Sequence, residues 1–277
     1  MSSENGKASA PDRSAPIGVF DSGIGGLTVV RELIRQLPNE SIIYFGDTAR
    51  VPYGPKGPDT VLRYSREIIS FLKGQGVKAI VIACNTATAH ALSALRAEND
   101  LPIVGVIEPG ARAAAKSTRT GRVGVIGTQG TINSRAYERA IEAVAPDADI
   151  TALACPLFVP LAEEGWLDKP ATSMIAEEYL APIAEKHVDT LVLGCTHYPL
   201  LKGVIGKAVG RDVRLIDSAE ETAAETAATL RDAGLAHDAT NDAKYRFIAS
   251  DAPEQFLRVG QRFLGSSIDR VETVTLG

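Results

Sequence analysis

Residues 80–87 read IVIACNTA. Aliphatic residues run unbroken into Cys84, and polar Asn85 and Thr86 follow at once. A continuous apolar run suits a strand buried on both faces, as in a parallel sheet; a strand with one wet face would alternate. The run ends on a thiol, so Cys84 is a small core residue, a metal ligand or a reactive group. Taken singly, the core reading wins, because free Cys is among the most buried residue types.

The pattern recurs. VKAIVIACNT (77–86) has a counterpart in VDTLVLGCTH (188–197), with the two cysteines 111 residues apart. IGVFDSGIGG (17–26) has a weaker echo in VGVIGTQGTI (123–132), displaced by 106. A near-constant offset predicts a duplicated half. Other candidate strands are SIIYFG (41–46), PIVGVI (102–107) and VRLI (213–216). Helical periods lie between them. Leu27, Val30, Ile34 and Leu37 are spaced by threes and fours before Pro38, and Ser218 with Glu221 has capping-box spacing ahead of a helix ending near Gly234. The alternation predicts an α/β fold of two pseudo-symmetric domains, each a mostly parallel sheet flanked by helices, with the active site in the cleft between them. The expected division is a disordered tail over 1–15, a first domain over 16–110 plus 220–277, and a second over 111–219.

Composition narrows the class. The 277 residues are 45% hydrophobic and 23% charged, ordinary values for a globular protein, and the net charge of −5 gives no support for nucleic-acid binding. No apolar stretch approaches the ~20 residues that span a bilayer, and MSSENGKASAPDRSAP (1–16) lacks the apolar core of a secretory signal. Three cysteines without a CxxC pair fit a reducing cytoplasm.

In open parallel sheets, ligands bind outside the carboxyl ends of the strands. Cys84 and Cys195 both take that position, each followed by hydrogen-bonding side chains: Asn85–Thr86 and Thr196–His197. Two equivalent thiols reverse the core reading that one would receive. Cys155, in TALACPLF, has no polar follow-on and stays a core residue. Cys84, Cys195 and His197 also make a Cys₂His set of the catalytic-zinc type, but finger-like spacing is absent, so metal is not favoured. The glycines of DSGIGG (21–26) permit a tight turn and close approach to a ligand, at a spacing that is neither a dinucleotide fingerprint nor a Walker loop. Asp21 there is either a helix cap or a group that orients an amine or acts on a thiol. GDTARVPYGPKG (46–57) is a further candidate contact loop, and His197 is the acid–base neighbour of Cys195. Thiols on opposite faces of one carbon form a reversible pair: one removes a proton while the other returns one, giving the mirror image.

DSGIGG, GDTARVPYG, ACNTATA and GCTHYPL, with GVIEPGA (105–111) among them, resemble the motifs of glutamate racemases, in the cofactor-independent aspartate/glutamate racemase family. The likeness runs from Ile17 to about Leu264. It implies interconversion of L- and D-glutamate without cofactor or metal, for peptidoglycan synthesis in the cytoplasm, by an enzyme that is commonly a homodimer. It also implies that Cys84 and Cys195 are the proton donor/acceptors, assisted by Asp21 and His197 respectively. Ser22, Tyr53, Gly54, Asn85, Thr86 and Thr196 would then hold the amino and carboxylate groups together with Asp21 and His197. Glu163, in LAEEG, resembles a supporting carboxylate beside Cys195, with adjacent Glu164 as the competing choice; Thr128 and Thr131 are further carboxylate contacts. Aspartate racemase is the nearest rival; a zinc hydrolase and a non-catalytic amino-acid-binding module are the other classes.

Overall fold

The computed structural model describes residues 12–238 and 243–276. Most of the expected tail, residues 1–11, lies outside them. Residues 12–15 depart from disorder: they form a turn in which Ser14 donates to Asp12, and the Lys78 ammonium donates to the Arg13 carbonyl at 2.6 Å.

Ten strands form two all-parallel sheets among the described residues. The first has β1 (Ile17–Asp21), β2 (Ile42–Gly46), β3 (Ala79–Ile82), β4 (Ile103–Gly105), β9 (Tyr245–Ala249) and β10 (Val271–Thr273), in the order β10-β9-β2-β1-β3-β4. The second has β5 (Arg122–Gly127), β6 (Asp149–Ala154), β7 (Thr190–Gly194) and β8 (Arg214–Asp217), in the order β6-β5-β7-β8. Strands β1, β2, β3 and β7 are buried along their whole length, which their uninterrupted aliphatic runs require.

The sub-order β2-β1-β3-β4 repeats as β6-β5-β7-β8, so the duplication read from the cysteines extends to the topology. Strands β9 and β10 have no counterpart in the second sheet. Three strands escape the reading of apolar runs. Edge strand β6, DITALA, is half exposed along its length, β9 opens with exposed Tyr245 and Arg246, and β10 is only VET.

Helices connect successive strands: α1 (Leu27–Gln36), α2 (Pro58–Gly74), α3 (Asn85–Glu98) and α4 (Ile107–Ser117) in the first half; α5 (Gln129–Asn133), α6 (Ala136–Glu142), α7 (Phe158–Glu163), α8 (Pro170–Glu185) and α9 (Lys202–Val209) in the second; then α10 (Ser218–Asp232) and α11 (Pro253–Leu264). The chain passes between sheets through α4 and returns through α10. The expected divisions at 110/111 and 219/220 therefore fall inside helices. Helix α10 packs on α1 and α4, and one apolar cluster takes in Val19, Leu27, Val123 and Leu191, so the two halves share a core. The cap of α10 differs from expectation. Asp217, not Ser218, accepts from the Ala219 N–H at 3.0 Å, leaving buried Ser218 as the first helical residue.

At the opposite end of the first sheet from the cysteine, Lys78 and Glu40 form a buried ion pair at 2.5 Å, with 2% and 3% of their side chains exposed. Glu40 also accepts from the His237 N–H at 2.9 Å. Removing one member of such a pair strands the other charge in the interior. Lys78→Met is expected to lower unfolding free energy by about 3–5 kcal/mol. The check is a fall in the urea midpoint at an unchanged slope.

Candidate active site

Each sheet has one topological switch point, where the connections of its central strand leave in opposite directions. In the first it lies between β1 and β3; in the second, between β5 and β7. Those four strand ends deliver Asp21, Cys84, Thr128 and Cys195. This is the place where open α/β sheets bind ligands.

Cys84 caps α3, its sulfur accepting from the Ala87 N–H at 3.4 Å. Burial, and then the neighbouring Asp21 charge, push its thiol up to about 12, while hydrogen bonds from Ala87 and Ser22 favour the thiolate. Asp21 is fully buried and accepts from the Gly23 N–H at 3.0 Å; its Oδ1 has no partner among the described residues. Burial raises its carboxyl above the ordinary range, opposed by nearby His197 and by backbone donors.

In the second half, His197 Nδ1 faces Cys195 Sγ at 3.8 Å, and His197 Nε2 lies 2.9 Å from Glu163 Oε1. Burial opposes charge on the ring, but the bonds to Cys195 and Glu163 outweigh it and push His197 up to about 10. Glu163, at the end of α7, is thus the carboxylate at the histidine; Glu164 is exposed and makes no such bond. Phe263 of α11 closes the other side of the ring, edge-on at 5.1 Å.

The two halves touch at a glycine. A Cβ on Gly25 would come within 2.3 Å of Thr196 Oγ1 and 2.5 Å of the His197 ring, and the Thr28 hydroxyl donates to the Thr196 carbonyl at 3.1 Å. The DSGIGG loop therefore presses directly on the turn carrying the second thiol. Further round the site, Thr86, Thr128 and Thr131 form a triangle of hydroxyls at 2.9, 3.2 and 3.1 Å. Gly130 N–H donates to Gly54 carbonyl at 2.9 Å, and a Cβ on Gly130 would meet that oxygen at 2.6 Å.

Most of the expected residues thus converge on these strand ends. Tyr53 does so only in part, since its hydroxyl is committed to Asp47 and its ring is buried. Its backbone remains beside Gly54. Among the described residues, no three His, Cys, Asp or Glu side chains gather where they would hold a metal ion. Cys155 is buried, and its carbonyl accepts from the Tyr198 hydroxyl at 2.8 Å, in keeping with a core role. Residues the sequence reading passed over include Thr28, Tyr137 and Phe263. Each sits in an ordinary helical period, with no local signal of its contact.

A family model for Asp/Glu/hydantoin racemases matches residues 17–226. The glutamate racemase of Geobacter metallireducens is 56% identical over 260 residues, which cover 94% of this chain and 96% of that relative. Among solved structures, glutamate racemase isoform RacE1 from Bacillus anthracis matches with a TM-score of 0.91 at 44% identity, covering 95% of this chain and 98% of that one. The glutamate racemase of Francisella tularensis, solved in complex with D-glutamate, matches at 0.89 and 40% identity with the same coverage. Fold and site together define an isomerase. The chain belongs to the Asp/Glu/hydantoin racemase family.

Two predictions test the geometry. Gly25→Ala must displace Thr196 and His197, and a shift of that size at reacting groups is expected to lower kcat/KM by about 100-fold or more. Steady-state racemisation kinetics check it. Glu163→Gln removes one of the interactions that keep His197 charged. A group whose pKa is raised by a partner loses its proton at lower pH when the partner is neutralised, so the alkaline limit of the rate should move to lower pH. A pH–rate profile of both proteins reads this directly.

Proposed function

We propose that the chain interconverts L- and D-glutamate by transfer of the α-proton between Cys84 and Cys195, without metal or organic cofactor. The observation that carries this reading is the equivalence of the two strand-end thiols, each provided with its own ionisable neighbour: Asp21 for Cys84, and the His197–Glu163 pair for Cys195. Glutamate as the substrate is supported by the relatives' names and by the D-glutamate complex of the Francisella tularensis enzyme.

For the L-enantiomer, the Cys195 thiolate takes the α-proton, forming its S–H bond as the C–H bond breaks. The electron pair spreads into the α-carboxylate. Cys84 then gives its proton to the opposite face of the carbon and is left as thiolate. Charged His197 supplies the Nδ1–H donor that a thiolate at Cys195 needs. Buried Asp21, with its raised pKa, is able to hold a proton beside Cys84. Moving one proton between the two sides prepares the enzyme for the D-enantiomer. Fixed donors are needed wherever charge develops. Ser22, Asn85, Thr86, Thr196 and the backbone at Tyr53–Gly54 fill that role, with Asp21 and His197 near the amino group.

Around this centre we place two domains, 16–110 with 220–277 and 111–219. The expected role is D-glutamate supply for peptidoglycan, in the cytoplasm, as a homodimer. No helix of the described residues is long and apolar enough to cross a membrane.

The decisive experiment follows L-glutamate by circular dichroism in deuterated water. Optical activity should decay to zero, with deuterium on the α-carbon of the D-product before it appears in recovered L-substrate. Cys84→Ala and Cys195→Ala should each reduce turnover by about 1,000-fold or more, because each removes one of two required proton carriers. Near-normal turnover in either variant sinks the two-thiol scheme.

A further inference from the structure

Asn85 sits next to Cys84 at the start of α3, and its side chain is buried. Oδ1 accepts a hydrogen bond from the Tyr137 hydroxyl at 2.7 Å. Nδ2 has no partner among the described residues. A buried donor without an acceptor is rare in native proteins and needs a reason. A planar amide pinned through its oxygen turns its nitrogen the other way, away from Tyr137.

Tyr137 comes from α6, in the second half, whereas Asn85 belongs to the first. The phenol is itself firmly placed. A Cβ on Gly194, the residue before Cys195, would come within 2.9 Å of its ring, and one on Gly110 within 3.4 Å. Burial holds the hydroxyl protonated well above its usual range, so it stays a donor at every working pH. With the phenol donating, the hydrogen bond sets Oδ1 toward Tyr137 and leaves Nδ2 free to serve a ligand.

We infer that Tyr137 is a positioning residue for the racemase reaction, fixing the Asn85 amide so that Nδ2 donates to the α-carboxylate of the amino acid. The inference rests on the glutamate reading above. Turned the other way, the amide would aim its oxygen lone pairs at a carboxylate and repel it. A substrate carboxylate also explains the orphaned nitrogen, which gains its acceptor only when the site is filled. The arrangement further links occupancy to the fit of the two halves, because the amide of one is aligned by the phenol of the other.

Tyr137→Phe keeps the ring and removes only the hydroxyl. The contact to the carboxylate exists before and during proton transfer, so its loss should raise KM for both enantiomers by about tenfold, with kcat changed less than about threefold. In an Asn85→Ala background the same substitution should add nothing, since Tyr137 acts through that amide. An unchanged KM in Tyr137→Phe, or the full KM effect in the Asn85→Ala background, would overturn the relay. Should Tyr137→Phe melt well below wild type, KM is measured at a temperature where circular dichroism shows both proteins folded, and a KM unchanged there would equally overturn the relay. A wild-type chain inert on glutamate would refute the substrate reading separately. The relay is then judged by calorimetric binding of D-glutamate to the same variants, with equal binding in wild type and Tyr137→Phe overturning it.

Discussion

The missing Cβ at Gly25 lets a loop from one sheet rest on the turn that carries the thiol of the other, with Thr196 Oγ1 and the His197 ring where a side chain would otherwise stand. Parallel sheets place reactive groups at their carboxyl ends, but a single sheet presents them all from one side. A carbon that must be deprotonated on one face and reprotonated on the other needs groups from two directions. Bringing two sheets together requires backbone to come close. Gly25 lies against the Thr196 and His197 side chains, and Gly130 against the Gly54 carbonyl. The Thr86–Thr128–Thr131 hydroxyls and the Tyr137–Asn85 bond then stitch the seam with polar groups, which need acceptors and so hold a defined geometry.

Much of this was legible in the amino-acid sequence because buried parallel strands leave an unmistakable trace. TLVLG at 190–194 is a strand end to end, and IGVF and AIVIA are each within a residue of one. Two of the three strands missed, β6 and β10, lie at sheet edges. Edge strands such as β6 need no continuous apolar run, since one side and one edge face water. The repeat itself carried part of the missing information: the offset of 106 applied to SIIYFG lands on DADITA (147–152), which overlaps β6. The placement of Asp21, Cys84, Cys195 and His197 at strand ends was legible, because it follows from local pattern. The choice of Glu163 over Glu164 was not, because it depends on where the short helix α7 ends relative to His197. Tyr137 was hidden for the same reason. Within AYERAIE nothing separates a core tyrosine from one whose hydroxyl reaches Asn85 across the seam.

The two sides of the site are equivalent in topology but not in chemistry. Cys84 has a buried carboxyl neighbour and a pKa pushed up to about 12; Cys195 has a charged imidazole backed by a carboxylate. A racemase must tolerate this, because mirror-image substrates have equal free energy in water. The equilibrium constant is therefore one, and kcat/KM must be the same in both directions whatever the enzyme's asymmetry. Differences between the two halves are free to appear only in how kcat and KM are divided for each enantiomer. The structure shows where such a division would originate. In the proposed two-thiol scheme, a protonated Cys84 and a charged His197 beside Cys195 make up the state that accepts the L-enantiomer. The opposite state needs one proton moved across the seam, between groups that Asp21 and His197 couple electrostatically. Duplication supplied two equivalent switch points. In the proposed scheme, divergence of the residues around each thiol sets which proton-transfer state the enzyme rests in, without any change to the equilibrium it catalyses.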